Sequence, residues 1–181
     1  MKTSLLLIAL FFLIQAAEAQ KYISRDGHIW FFSHTPLEDI EAHNQQVAGI
    51  LDISAGSLQF SLLVKSFEFK RALMQEHFNE NYVESDKFPK ADFTGKITRP
   101  DKASLTKDGT YPAEVTGDLT LHGVARNLTV TGTFTVKGGK ITAVSGFVLK
   151  PEDYDIEIPA VVRDKIASEI EVNVDITFSQ N

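Results

Sequence analysis

The stretch EVTGDLTLHGVARNLTVTGTFTVKGGKITAVSGFVL, residues 114–149, decides the fold. It divides into three alternating segments. In the first, Val115, Gly117, Leu119 and Leu121 interleave with Thr116, Asp118 and Thr120. In the second, Leu128, Val130, Gly132, Phe134 and Val136 interleave with Asn127, Thr129, Thr131, Thr133 and Thr135. The third alternates Ile141, Ala143, Ser145, Phe147 and Leu149 with Thr142, Val144, Gly146 and Val148. A period of two is that of a strand with one face on an apolar interior and the other mostly toward water. His122-Gly123 opens one short turn. Lys137-Gly138-Gly139-Lys140 is a two-residue hairpin whose glycines supply positive φ. The stretch is therefore an antiparallel meander whose apolar side the rest of the chain must cover.

Working outward, further segments fit. Ile170, Val172, Val174, Ile176 and Phe178 alternate with polar residues in a closing strand, and Val47–Ile53 reads as another. His28–Ser33 is a strand apolar on both faces, preceded by a turn signal at Arg25-Asp26-Gly27. Ser57–Lys70 reads as one long strand. Its apolar phase changes between Val64 and Phe67, which predicts a bulge or a sharp bend. Phe88–Phe93 begins another strand, which Pro100 breaks or marks as an edge. Two helices are expected. Thr35-Pro36-Leu37-Glu38 has the form of a capped helix start, predicting a helix through about Ala42. Leu73, Met74, His77 and Phe78 recur at helical spacing within Arg71–Asn81. The reading is all-β: an antiparallel, eight-stranded barrel with one or two short helices. A filled sandwich is the alternative.

Lys2, the apolar run Leu5–Ile14 and Ala17-Glu18-Ala19 have the order of a signal peptide over residues 1–19. That predicts a single domain over 20–181, located in the periplasm or, alternatively, secreted. No stable membrane insertion is expected after cleavage. The chain has no cysteine, so thiol chemistry and disulfides are excluded. A net charge of −6 without a basic cluster argues against nucleic-acid binding.

No catalytic constellation stands out, and the chain is not expected to be an enzyme. The five histidines, His28, His34, His43, His77 and His122, show no HExxH or HxH spacing. A metal site from His28, His34 and His43 is the weaker alternative to separate structural roles, so no metal and no cofactor are expected. Asp153, Asp155 and Glu157 fall on one face of an extended segment and read as a solvated face rather than a calcium or glycosidase site. In the alternative reading, an exported lipid-modifying enzyme, His122 or an acidic residue would be the base. The simpler role of His122 is to hold its own turn by bonding nearby backbone.

Gly117-Asp118-Leu119-Thr120-Leu121-His122-Gly123 resembles the G-x-L-T-x-H-G signature of the YceI-like family. Phe88–Phe93 is similar to that family's F-P-x-A-x-F strand start, and His77-Phe78 and the strand Glu169–Phe178 also fit. Two segments depart from the pattern. Lys150–Asp155 stands where many members carry Arg-Ser-Asp-Phe-Gly, and His28-Ile29-Trp30-Phe31 lacks a common His-Ser pair. The resemblance implies a lipocalin-like barrel that sequesters a polyisoprenoid or another long-chain lipid. The ligand classes it suggests are an isoprenoid, an isoprenoid quinone, or a fatty acid or amide. The apolar lining expected is Trp30, Phe60, Leu62, Phe78, Phe93, Leu119, Phe134, Phe147 and Phe178. A long-chain lipid is thus the expected partner, and a homodimer is left open.

Overall fold

The computed structural model describes residues 21–180. The leader expected over residues 1–19 lies outside them. Nine strands form one antiparallel sheet: β1 (Lys21–His34), β2 (Asp39–Asp52), β3 (Ser57–Leu63), β4 (Glu68–Phe69), β5 (Lys90–Arg99), β6 (Gly109–Leu121), β7 (Val124–Lys137), β8 (Lys140–Leu149) and β9 (Ile170–Gln180). β1 pairs with both β2 and β9, which closes the sheet into a barrel of eight long strands. β4 is a two-residue addition to β2. The helix α1 (Ala72–His77) runs on into a wider turn over Phe78–Tyr82.

The central meander has the expected register. Phe134 and Val136 are buried while Thr131, Thr133 and Lys137 are exposed, as alternation requires. His122 and Gly123 form the β6–β7 turn with φ of 51° and 75°, so both residues take the left-handed conformation of a tight hairpin. Gly117 answers a different demand. It faces Gly95 across β5 and β6, and a Cβ there would lie 2.4 Å from the Gly95 Cα. The two strands cross too closely at that point for any side chain.

Four expectations change. Residues 35–38 are a turn, and Asp39–Ala42, expected to be helical, belong to β2. The capping chemistry is present: the Leu37 and Glu38 N–H groups donate to Thr35 Oγ1 at 3.3 and 3.1 Å. The Thr35 N–H then bonds the Glu38 carbonyl at 3.0 Å and reverses the chain. Pairing of β2 with β1 outweighs the local helix signal. Arg25-Asp26-Gly27 is a register shift inside a continuous β1, not a turn. Ser57–Lys70 is broken by a 3-10 turn over Val64–Ser66, the sharp bend that the phase change demanded. The acidic segment is a 3-10 turn (Pro151–Tyr154) and an extended tail, not a strand, with Asp153, Asp155 and Glu157 exposed over buried Tyr154 and Ile156.

The two ends of the barrel differ. At the end holding the start of β1 and the end of β9, Leu51, Ile141, Ile176 and Phe178 are fully buried. Leu105, from the short turn Lys102–Thr106, plugs that end at 1% exposure. At the other end α1 and the segment between β8 and β9 lie across the opening. The Ala167 N–H donates to the buried Ser33 Oγ at 2.9 Å and ties that segment to β1.

Candidate functional site

The open end holds a cavity of about 480 Å³ under α1 and the β8–β9 segment. A second, of about 110 Å³, lies deeper in the barrel. Ile29, Leu62, Ala91, Leu119 and Phe147 line both, so the two adjoin. The larger one falls within the ~300–1,000 Å³ usual for small-molecule sites. Its charged lining residues are Glu38, Arg71 and Lys165, on the segments that border the mouth. Arg71 is ion-paired with Glu38, which joins the start of α1 to the β1–β2 turn. Tyr82 also lines the cavity, and burial pushes its pKa up, so it stays neutral.

Seven of the nine expected lining residues face this space. Phe60, Phe93 and Phe134 line the deeper part, Phe78 the outer part, and Leu62, Leu119 and Phe147 both. Phe178 lines neither; it is fully buried beneath, with its ring 6.0 Å from that of Phe60. It belongs to the floor. Trp30 is a correction. Its ring lies on the outer wall, stacked 4.5 Å from His28 and 6.4 Å from His43, while its neighbours Ile29 and Phe31 point inward. With apolar residues on both phases of β1, alternation could not choose a face. The register shift at Gly27 puts Ile29 inside.

Sequence reasoning missed Phe31, Phe67 and Phe69. Their rings pack around Phe78 at 5.5, 5.8 and 5.0 Å and form an aromatic wall beside α1. The phase change at Phe67 and Phe69 was the available signal, since a bend there turns both back over the mouth.

Four of the five histidines hold structure, whereas His77 lines the outer cavity. His28 Nε2 and His43 Nδ1 are 3.0 Å apart on the outer wall, and burial, then His43, lowers the His28 pKa. His34 bonds Asp39 instead, and the described residues hold no cluster of three or more candidate metal ligands. The side chain of His122 is only 9% exposed, edge-on to Phe88. Its Nδ1 lies 2.9 Å from the Tyr154 carbonyl and its Nε2 2.9 Å from Glu84 Oε2. Both partners are acceptors, and the tautomer sets which ring nitrogen donates. His122 thus clamps three segments far apart in sequence, rather than bonding backbone within its own turn. The hydrogen bond from His122 holds the Glu84 carboxyl below its usual range.

The fold is similar to several solved structures. A polyisoprenoid binding domain from Saccharophagus degradans superposes with a TM-score of 0.78 at 15% identity, over 91% of this chain and 100% of that one. Burkholderia cenocepacia BcnA gives 0.70 at 18%, over 83% and 95%. A Campylobacter jejuni YCEI protein gives 0.64 at 14%, over 82% and 88%. No curated protein matches the chain. The signature around His122 and the strand start at Phe88 are parts of a wider agreement, since the family model of the YceI-like domain matches residues 20–178. The chain belongs to the YceI-like family.

Proposed function

We propose that this protein is an exported carrier that sequesters a long-chain apolar lipid inside the barrel: an isoprenoid, an isoprenoid quinone, or a fatty acid or amide. The observation that carries the reading is the pair of adjoining, mostly apolar cavities from the mouth to the layer of Phe60 and Phe134, with Glu38, Arg71 and Lys165 of the outer one on the segments that border its mouth. Burying one methylene is worth about 0.8 kcal/mol, so a chain of about fifteen carbons offers on the order of 12 kcal/mol before the cost of lost freedom. Subtracting several kcal/mol for that cost leaves roughly micromolar binding or better without any charged partner. The Saccharophagus degradans domain, described as polyisoprenoid binding, supports the same ligand class. His122 is buried and engaged in bonds that join the β6–β7 turn to the Tyr154 and Glu84 segments, a structural role that supports binding over catalysis. Mass spectrometry of an organic-solvent extract of the native protein tests the reading. A stoichiometric long-chain lipid is expected, and an extract empty of lipid from a folded, exported protein would refute it. Export itself predicts an N-terminus at Gln20; sequencing that found Met1 retained would remove that part.

A further inference from the structure

The ladder between β7 and β8 is not complete. It runs from Lys137↔Lys140 to Gly132↔Ser145 and stops. Beyond that point β7, from Val124 to Thr131, is paired only with β6, and β8, from Gly146 to Leu149, only with β9. At the fork the Ser145 hydroxyl donates to the Thr131 carbonyl at 2.7 Å, replacing the next rung with a side chain. At the rim the gap is spanned again. Arg126 Nε donates to the Asp153 carbonyl at 2.7 Å, and His122 reaches the Tyr154 carbonyl at 2.9 Å. The result is a framed slit in the barrel wall.

The slit meets the cavity. Thr131, Gly132 and Thr133 on β7 and Val144 and Ser145 on β8 line the deeper part of it, so the space reaches the wall where the ladder opens. The flanks are apolar and half-buried: Leu128 and Val130 on one side, Phe147 and Leu149 on the other. Val148, 58% exposed, stands outside them. Below, the packed floor blocks any straight path through the barrel. From rim to floor a chain has roughly 25 Å of depth, given about 3.4 Å per residue along tilted strands.

We propose that the β7–β8 slit is a side exit for the ligand. A chain longer than the cavity leaves its tail between Leu128–Val130 and Phe147–Leu149, so the cavity sets no upper limit on chain length. This rests on the lipid-binding reading. It makes the slit the specificity determinant for long polyprenyl chains over short ones.

The absence of native cysteine makes the test clean. Thr129→Cys with Val148→Cys places two thiols on outward positions of the two flanks, and oxidation zips the slit. Binding of farnesol and solanesol is measured for the reduced and oxidised forms. The oxidised form is expected to keep farnesol and to lose at least about tenfold in solanesol affinity, with recovery on reduction. Equal solanesol binding by both forms overturns the proposal. A second measurement stands if the disulfide does not form. An environment-sensitive fluorophore on Val148→Cys should shift its emission with solanesol and not with farnesol, while the same label on Thr142→Cys, at the packed end of β8, should not respond. A Val148 label silent to bound solanesol also overturns it. Wild type that retains neither alcohol refutes the lipid reading itself, whereas wild type that retains both, with the slit irrelevant, refutes only the exit.

Discussion

The two halves of the barrel are built from the same strands and the same alternation, yet one is packed and the other hollow. Toward the start of β8 and the end of β9, Ile141, Ile176 and Phe178 have no exposure at all. Toward the other ends of those strands, inward residues such as Leu121, Phe147 and Leu149 are only half-buried. The pairing follows the same division, since the β7–β8 ladder is intact over the packed half and open over the hollow one. The lesson is one of partners. At the packed end large side chains from opposite walls meet, and the short turn carrying Leu105 fills what remains. At the open end α1 and the β8–β9 segment bridge the space without filling it. Stability concentrates in the first half and ligand capacity in the second.

The largest effect should come from charging the boundary between the halves. Phe134 is 1% exposed. Phe134→Asp, an unpaired carboxylate in an apolar interior, should cost more than about 4 kcal/mol. Thr133→Asp, on the outer face, should cost less than about 1 kcal/mol. A thermal melt compares them, and the reverse order would break the register on which the comparison rests.

The two halves should separate next under truncation. Phe178→Ala opens a hole in the floor and should cost about 3–5 kcal/mol, measured by urea unfolding. Phe78→Ala, at the mouth, should cost about 1–2 kcal/mol and instead reduce the lipid recovered per folded molecule. Equal losses of stability would mean that the open end is packed as tightly as the floor.

The smallest effect concerns the clamp that holds the open rim. His122→Ala removes the bonds to Tyr154 and Glu84 and should cost about 1 kcal/mol while leaving bound lipid nearly unchanged. A pH signature accompanies it. The Glu84 pKa is lowered in the folded protein, so its contribution is full above the ordinary carboxylate pKa and fades as pH falls through the lowered value. Wild type should therefore lose more stability on acidification than His122→Ala does, and parallel acid-unfolding curves would show that the pair contributes nothing.

Much of this could be read before any coordinates. Threonine alternating with apolar residues in residues 127–136 identified β7 and its inward face, and Gly138-Gly139 placed its hairpin. Phe60, Leu62, Leu119, Phe134 and Phe147 lie on the apolar phase of their strands and line the cavities, while Phe78 lies on the apolar stripe of its helix. The failures have definite causes. Thr35–Glu38 carries a true capping pattern, but it was spent on a turn because strand pairing with β1 is stronger than one turn of helix. Trp30 was expected in the lining, on a strand whose two faces are equally apolar, so alternation could not choose its side.

By itself the sequence determined the strands of residues 114–149 and 170–178, where the strands of 114–149 turn, and which phase of each is buried. These depend on neighbours along the chain, through the two-residue pleat and through glycine at positive φ. Only the tertiary structure decided which way Trp30 faces, that His122 reaches Tyr154 and Glu84, and that β7 parts from β8 above Gly132. Each of these depends on groups distant in sequence: a register shift against β2 and β9, two loops meeting at the rim, and the distance between walls that have nothing large enough to fill it.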